Sequence, residues 1–192
     1  MPVEEIKLNE TDTYVRIHHD NGKLMFEEWL RNGKLHRDND MPSYIFYDDN
    51  SNIRVLKWFI NGNLHREGDN PARISFNKNG NIEEMYWFKN SRGHRDDNKP
   101  GYVSFYDNGS VKKLQYEIDG QMNRTDDGPT QIVFYANGNK KSERWFQNEE
   151  FLRDNNKPCY ISYYENGLVK EMIYNENDII EETNDEDSFN FN

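Results

Sequence analysis

Short alternating runs of apolar and polar residues recur along this chain, separated by polar turns. In one stretch Ala72, Ile74 and Phe76 alternate with polar residues; Val103 with Phe105, Ile132 with Phe134, and Ile161 with Tyr163 do the same further on. Period two in β-branched and aromatic residues predicts strands. Asn-Gly follows, whose tolerance of positive φ suits a tight hairpin turn. A second run then ends on a large aromatic, as in Leu56 with Trp58 or Met85 with Trp87. The predicted class is all-β: an elongated, twisted antiparallel meander of hairpins with no significant helix.

The runs belong to an internal repeat. Pro42, Pro71, Pro100, Pro129 and Pro158 stand at intervals of 29, and so do Trp29, Trp58, Trp87, Tyr116, Trp145 and Tyr174, which include every tryptophan. Asn21, Asn50, Asn79, Asn108, Asn137 and Asn166 form a third column, followed by glycine except at Ser51. Arg37, Arg66, Arg95, Arg124 and Arg153 form a fourth. One unit reads P-A-R-I-S-F-N-K-N-G-N-I-E-E-M-Y-W-F-K-N-S-R-G-H-R from Pro71 to Arg95. Proline suits the strand entrance, where its nitrogen owes no ladder hydrogen bond.

Ile6, Leu35, Leu64, Met122, Phe151 and Ile180 make a further apolar column, broken by Gly93. It sets the expected organisation: an extension over 1–5, one repeat domain over 6–180 with atypical end units as caps, and an acidic, mobile tail over 181–192. Strands about 4.8 Å apart give a rod of about 60 Å for six units. On such a sheet the tryptophans fall about 10 Å apart, and Tyr47, Phe76, Phe105, Phe134 and Tyr163 are placed to fill the gaps as an interleaved aromatic stripe.

Composition narrows the function. Only 34% of the residues are hydrophobic and 31% are charged, yet aromatics reach 14%, which suits a thin fold rather than a deep core. A net charge of −11 with no basic cluster disfavours nucleic acid and anionic membranes as partners. The first residues carry acids and no apolar leader, and one cysteine, Cys159, fits a reducing compartment, so a soluble cytoplasmic protein is expected.

Of the chemistry-bearing residues, His36, His65 and His94 sit about 10 Å apart in the expected sheet. They cannot converge on one metal ion and read as loop staples; no metal or cofactor is expected. The arginines read as clamps on the connection, pairing with nearby acids such as Asp38, Asp40, Glu67, Asp69, Asp96, Asp126, Asp127 and Asp154 or with backbone carbonyls. An alternative is a cationic row along one edge that grips an acidic peptide or phosphate. Trp29, Trp58, Trp87 and Trp145 read as core with a share in binding, since a single sheet has a second face to cover. Cys159 reads as a small buried side chain in the column of Ser43, Ala72, Gly101 and Thr130. No nucleophile elbow, phosphate loop or zinc signature is present, so the chain is not expected to be an enzyme. His18, His19 and Asp20 lie in an irregular first unit that is either an end cap or a local site. Phe189 and Phe191 could form a short docking peptide.

The pattern N-G-x-L-H-R-x-x-x-x-P-A-x-I-x-F-x-x-N-G-x-I-x-x-x-x-W-F resembles the MORN repeat, and more closely the degenerate MORN-variant repeats of bacterial antitoxin-like proteins and of large DNA viruses of amoebae. The resemblance covers nearly the whole chain and implies stacked β-hairpins with scaffolding or protein-binding roles. The unit here is longer, poor in tandem glycines, and carries His-Arg where His-Gly would be usual. The abundance of Asn, Lys, Ile and Tyr fits an AT-rich, viral or protist genome. The expected function is a non-enzymatic scaffold that binds a protein partner or forms a homodimer. The alternatives are a ligand-binding module or small enzyme at the first unit, and an antitoxin or immunity protein.

Overall fold

The computed structural model describes residues 2–146, 150, 151, 153 and 157–174. It is an all-β chain, without helix among those residues. The first unit contributes β1 (Val3–Lys7), β2 (Asp12–His18) and β3 (Leu24–Arg31), with β4 (Lys34–Leu35) folded back on β3. Each later unit contributes one main hairpin: β5 (Tyr44–Tyr47) with β6 (Ile53–Lys57), β9 (Arg73–Phe76) with β10 (Ile82–Tyr86), β13 (Tyr102–Phe105) with β14 (Val111–Gln115), β17 (Gln131–Phe134) with β18 (Lys140–Arg144), and β19 (Tyr160–Tyr163) with β20 (Val169–Ile173). Two-residue strands form a satellite hairpin after a main one: β7 (Phe59–Ile60) with β8 (Asn63–Leu64), β11 (Phe88–Lys89) with β12 (Arg92–Gly93), and β15 (Glu117–Ile118) with β16 (Gln121–Met122).

The main strands pair in sequence order, β1-β2-β3-β5-β6-β9-β10-β13-β14-β17-β18-β19-β20, every pair antiparallel. Thirteen strands in that path at about 4.8 Å make a ribbon about 58 Å long. The meander expected from the repeat is thus the fold observed. Pairing Val3↔Ile17 carries the sheet to Val3, ahead of the limit that the apolar column set at Ile6. The expected tail over 181–192 and the column member Ile180 lie outside the described residues.

Each unit uses two different turns. In the satellite hairpin both turn residues are left-handed, as at Asn61 (φ 52°) and Gly62 (φ 85°), the geometry of a two-residue turn whose twist matches its strands. In the main hairpin only the second residue is left-handed, as at Gly80 (φ 82°): Gly80 N donates to Asn77 O at 3.0 Å and Asn77 N to Asn81 O at 2.9 Å. This is a type I turn closed by a glycine bulge, and the register slips between Ile82 and Glu84 as a bulge requires. The asparagine before the glycine serves there through its side chain: Asn108 Oδ1 accepts from Ser110 N at 2.9 Å, and Asn137 Oδ1 from Asn139 N at 2.9 Å.

The sheet is one layer. Strand alternation puts Ser43, Ile45 and Tyr47 on the face that also carries Leu56, and their equivalents repeat along the ribbon. The opposite face carries Tyr44, Arg73, Tyr102, Gln131 and Tyr160, and the satellite aromatics reach it: the rings of Phe88 and Tyr86 are 4.3 Å apart, those of Phe151 and Tyr160 6.4 Å. The interleaved aromatic stripe does not form. Phe76 pairs with Ile82 at the turn end, whereas Trp58 N donates to Ala72 O at the far end, four residues or about 13 Å along the strand. The tryptophans therefore meet small residues, and the space beside them falls to something else.

Candidate functional site: the arginine clamps and the grooves between them

Trp58, Trp87 and Trp145 are 7%, 6% and 7% exposed, and Ala72 and Cys159 beside them are fully buried. The outer ring face is closed by the arginine eight residues on. Arg37 lies 3.6 Å from the Trp29 ring centre, Arg66 3.9 Å from Trp58, Arg95 3.9 Å from Trp87, Arg124 3.9 Å from Tyr116 and Arg153 4.1 Å from Trp145. A guanidinium stacked on an indole gains about 0.5–2 kcal/mol and, being planar and weakly hydrated, covers the ring as an apolar lid would.

The same arginine makes two further sets of bonds. Nη1 donates to the proline carbonyl five residues on: Arg37 to Pro42 at 3.1 Å, Arg66 to Pro71 at 3.3 Å, Arg95 to Pro100 at 3.2 Å, Arg124 to Pro129 at 3.1 Å and Arg153 to Pro158 at 3.5 Å. The remaining edge takes a carboxylate of the preceding unit. Arg66 pairs with Asp40 at 2.7 Å and 2.8 Å, Arg95 with Asp69 at 2.5 Å and 3.1 Å, and Arg153 with Asp127 at 3.1 Å on both oxygens. Where that acid is absent, at Asn98, Arg124 turns to its own Asp126 at 2.9 Å, and Asn98 donates to the same carboxylate at 2.8 Å. The Asp69 and Asp127 carboxyls are held down to about 2, Asp69 chiefly by Arg95 and then Lys99, Asp127 chiefly by Arg153 and then Lys157.

The histidines staple in the other direction. Nδ1 of His36, His65 and His94 accepts the amide of Asn61, Asn90 and Asp119 in the following unit at 3.1, 3.2 and 3.2 Å. An accepting Nδ1 leaves the proton on Nε2, which faces Asp38 at 3.0 Å, Glu67 at 3.2 Å and Asp96 at 2.9 Å. Each of these rings thereby joins its own connection to the turn of the following unit. Among the described residues no three His, Cys, Asp or Glu side chains converge as metal ligands. None of the helical kind of membrane span is present in them either.

Between successive clamps lie shallow grooves of about 290, 240 and 180 Å³, lined by His65, Arg66, Trp87 and Arg95, by His36, Arg37, Trp58 and Arg66, and by His94, Arg95, Tyr116 and Asn123 respectively. Arg66 and Arg95 are already paired with acids and Arg37 is held by the Trp29 ring and the Pro42 carbonyl, so among the described residues these grooves present no row of free cations. The Nε1 groups of Trp58 and Trp145 donate to Asp40 O at 3.0 Å and Asp127 O at 3.1 Å, while that of Trp87 has no acceptor.

The first unit differs. Trp29 stacks on Tyr14 at 4.7 Å, and Arg31 joins Asp12 at 2.9 Å, Asp38 at 2.6 Å and His36 at 2.8 Å. His18 Nδ1 and His19 Nε2 are buried without a hydrogen bond, the latter 3.4 Å from Asp49. Charged substitutions into the apolar face carry their own partners. Glu27 stands where Leu56 and Met85 stand, and accepts from Tyr14 and from Tyr47, the latter at 2.5 Å; Glu143 accepts from Tyr163. Tyr47 is pushed up to about 12, first by burial and then by Glu27. Burial, with Glu143 second, also raises Tyr163. In the middle of the array Glu117, 4% exposed, accepts from Tyr86 at 2.6 Å and 2.8 Å and from Gln115, filling the space that Gly93 leaves.

Fold and clamp together define the class: an all-β array of tandem hairpins, each unit tied to both neighbours through its connection. No family model matches the chain, and a search of curated proteins finds no relative.

Proposed function

We propose that this chain is a MORN-like repeat scaffold without enzymatic activity, acting in the cytoplasm, which binds a protein partner or a second copy through one sheet face. The observation that carries this reading is the asymmetry of the single layer. The face beside the tryptophans presents a row of partly exposed apolar side chains, Ile45, Leu56, Ile74, Met85, Leu114 and Ile132, flanked by Phe76, Phe105 and Phe134. No second layer of strands packs on it among the described residues. A continuous apolar row on a soluble surface favours a protein contact. The tryptophans and arginines expected to bind are engaged within the chain, so the contact belongs to this row beside them.

The test changes Met85 and Leu114 to lysine, together, and follows self-association by sedimentation velocity and partner capture from the native host. Loss of both with an unchanged β-sheet circular dichroism spectrum supports the reading; retention of the assembly removes this face from consideration. A second reading, a small-ligand site at the first unit, is favoured by the buried His18 Nδ1, which has no hydrogen-bond partner. Substituting His18 and His19 with glutamine would abolish ligand binding there and leave assembly intact.

A further inference from the structure

β20 ends the described sheet, and no strand lies on its outer edge among the described residues. Its hairpin holds a cluster of exposed apolar side chains: Leu168, Val169, Met172 and Tyr174 are 66%, 47%, 44% and 49% exposed. Every equivalent strand upstream is covered, and by a countable rule. The amide at the tryptophan position donates to the carbonyl of the small residue fourteen positions on: Trp29 to Ser43 at 2.9 Å, Trp58 to Ala72 at 2.9 Å, and Trp87 to Gly101, Tyr116 to Thr130 and Trp145 to Cys159 at 2.8 Å.

Tyr174 is the next member of the tryptophan column, and fourteen positions on stands Ser188. Serine also fills the small-residue position at Ser43. The residues that follow keep phase: Ser188-Phe189-Asn190-Phe191 aligns with Ser43-Tyr44-Ile45-Phe46, matching hydroxyl, aromatic ring and phenylalanine and departing only at Asn190. Between them Ile180 falls on the apolar column of Leu35, Leu64, Met122 and Phe151.

We propose that residues 188–191 of this same chain dock antiparallel on the outer edge of β20, with the amide of Tyr174 donating to the carbonyl of Ser188. The occupant is in cis because the intervening stretch has the length that makes this connection in every earlier unit. A second copy would have to offer one of its own edges, β1 or β20, and neither carries a small residue followed by an aromatic pair in this phase. The contact is also weaker than those upstream. Glu182 stands where the arginine column would continue and Asp187 where the proline column would, so Tyr174 receives no guanidinium lid from its own unit. Its 49% exposure contrasts with the buried tryptophans capped by arginine.

The test is amide hydrogen exchange by NMR on the full chain, read at Tyr174 and at Met172, two residues back on the same edge. The comparisons are a chain ended at residue 187 and the double variant Phe189→Asp, Phe191→Asp, with the amides of β14 and β17 as controls for an intact sheet. Both amides should exchange about tenfold or more slowly in the full chain than in the shortened one, at every protein concentration, and the double variant should behave like the shortened chain. Equal exchange in full and shortened chains overturns the proposal. So does protection that grows with concentration beside a dimer in sedimentation, which would assign the edge to a second copy.

Discussion

The exchange at positions 93 and 117 offers a quantitative test of how units meet. Neighbouring satellite hairpins are tied where the turn amides of Gly62, Ser91 and Gly120 donate to Leu35 O, Leu64 O and Gly93 O, and the positions 24 residues apart there are apolar at Leu35 and Phe59 and at Leu64 and Phe88. At Gly93 with Glu117 both members change. A Cβ added at Gly93 falls on the Glu117 carboxylate, 2.9 Å from its Cδ and 3.4 Å from the Tyr86 hydroxyl. Gly93 has no left-handed φ, so Gly93→Leu meets no backbone strain, only this collision. Overpacking costs about 1–3 kcal/mol, and separating the carboxylate from the Tyr86 hydroxyl leaves a buried donor unpaired at about 1–3 kcal/mol more. The single variant should lose about 2–6 kcal/mol. Adding Glu117→Phe places Leu and Phe as at 64 and 88 and should return the protein to within about 1–3 kcal/mol of the parent, the remainder lying in the stranded Tyr86 hydroxyl. Tyr86→Phe should then recover that remainder. Urea and thermal unfolding read the cycle: at about 2–4 °C per kcal/mol for a chain of this size, the single variant melts about 4–24 °C lower. A neutral Gly93→Leu, or a double variant no better than the sum of its parts, would refute the reasoning.

Four further outcomes are expected. Burial raises the Glu117 carboxyl against the opposing bonds from Tyr86 and Gln115, so ionising it works against the fold and its burden grows as pH rises above about 4.5; Glu117→Gln should gain on the parent in urea midpoint from pH 4.5 to 7, and a constant gap would exclude this. The Asp69 carboxyl is depressed from 3.8 to about 2, so the stability it lends is complete above 3.8 and lost as pH falls toward 2; Asp69→Asn should flatten that part of the acid unfolding curve. Tyr47→Phe strips a donor from Glu27 and should cost about 1–3 kcal/mol, most of it regained with Glu27→Leu, read by thermal unfolding. Arg66→Lys keeps the charge but loses the planar stack on Trp58 and the fork on Asp40, and should cost about 1–2 kcal/mol with a red-shifted Trp fluorescence.

The columns made the strands and their order legible, because each rests on local spacing that repeats along the chain. The aromatic stripe was misplaced because the pattern gives alternation but not the end of the strand at which a residue sits: Trp58 pairs beside Ala72, not Phe76. The arginine's partners were read within one unit, whereas Asp40, Asp69 and Asp127 reach forward to the next. A signal for the stack did exist. The aromatic of the tryptophan column and an arginine stand eight residues apart five times in succession, and arginine persists where histidine gives way at Asn123 and Leu152. Gly93 looked like a break in a column; only the Glu117 carboxylate lying over it shows a paired exchange.

Why the clamp takes this form follows from the single layer. A tryptophan at the end of a strand in a two-layered protein is covered by the opposite layer, but here the only material at hand is the connection of its own unit. An aliphatic side chain could cover the ring, but it could not also close the loop. Arginine does both, since its face meets the indole while its edge holds the proline carbonyl of its own connection and the carboxylate of the preceding unit. The ion pair is half-exposed and adds little by itself; its effect is to tie the ring's lid to a neighbour. Histidine makes the reciprocal tie forward. Each such unit is thereby tied to both neighbours as well as closed by its own hairpin, and ties of that kind give nearest-neighbour cooperativity. Removing one whole unit of 29 residues should leave a shorter folded array, whereas unpairing one clamp should open the array locally at that junction.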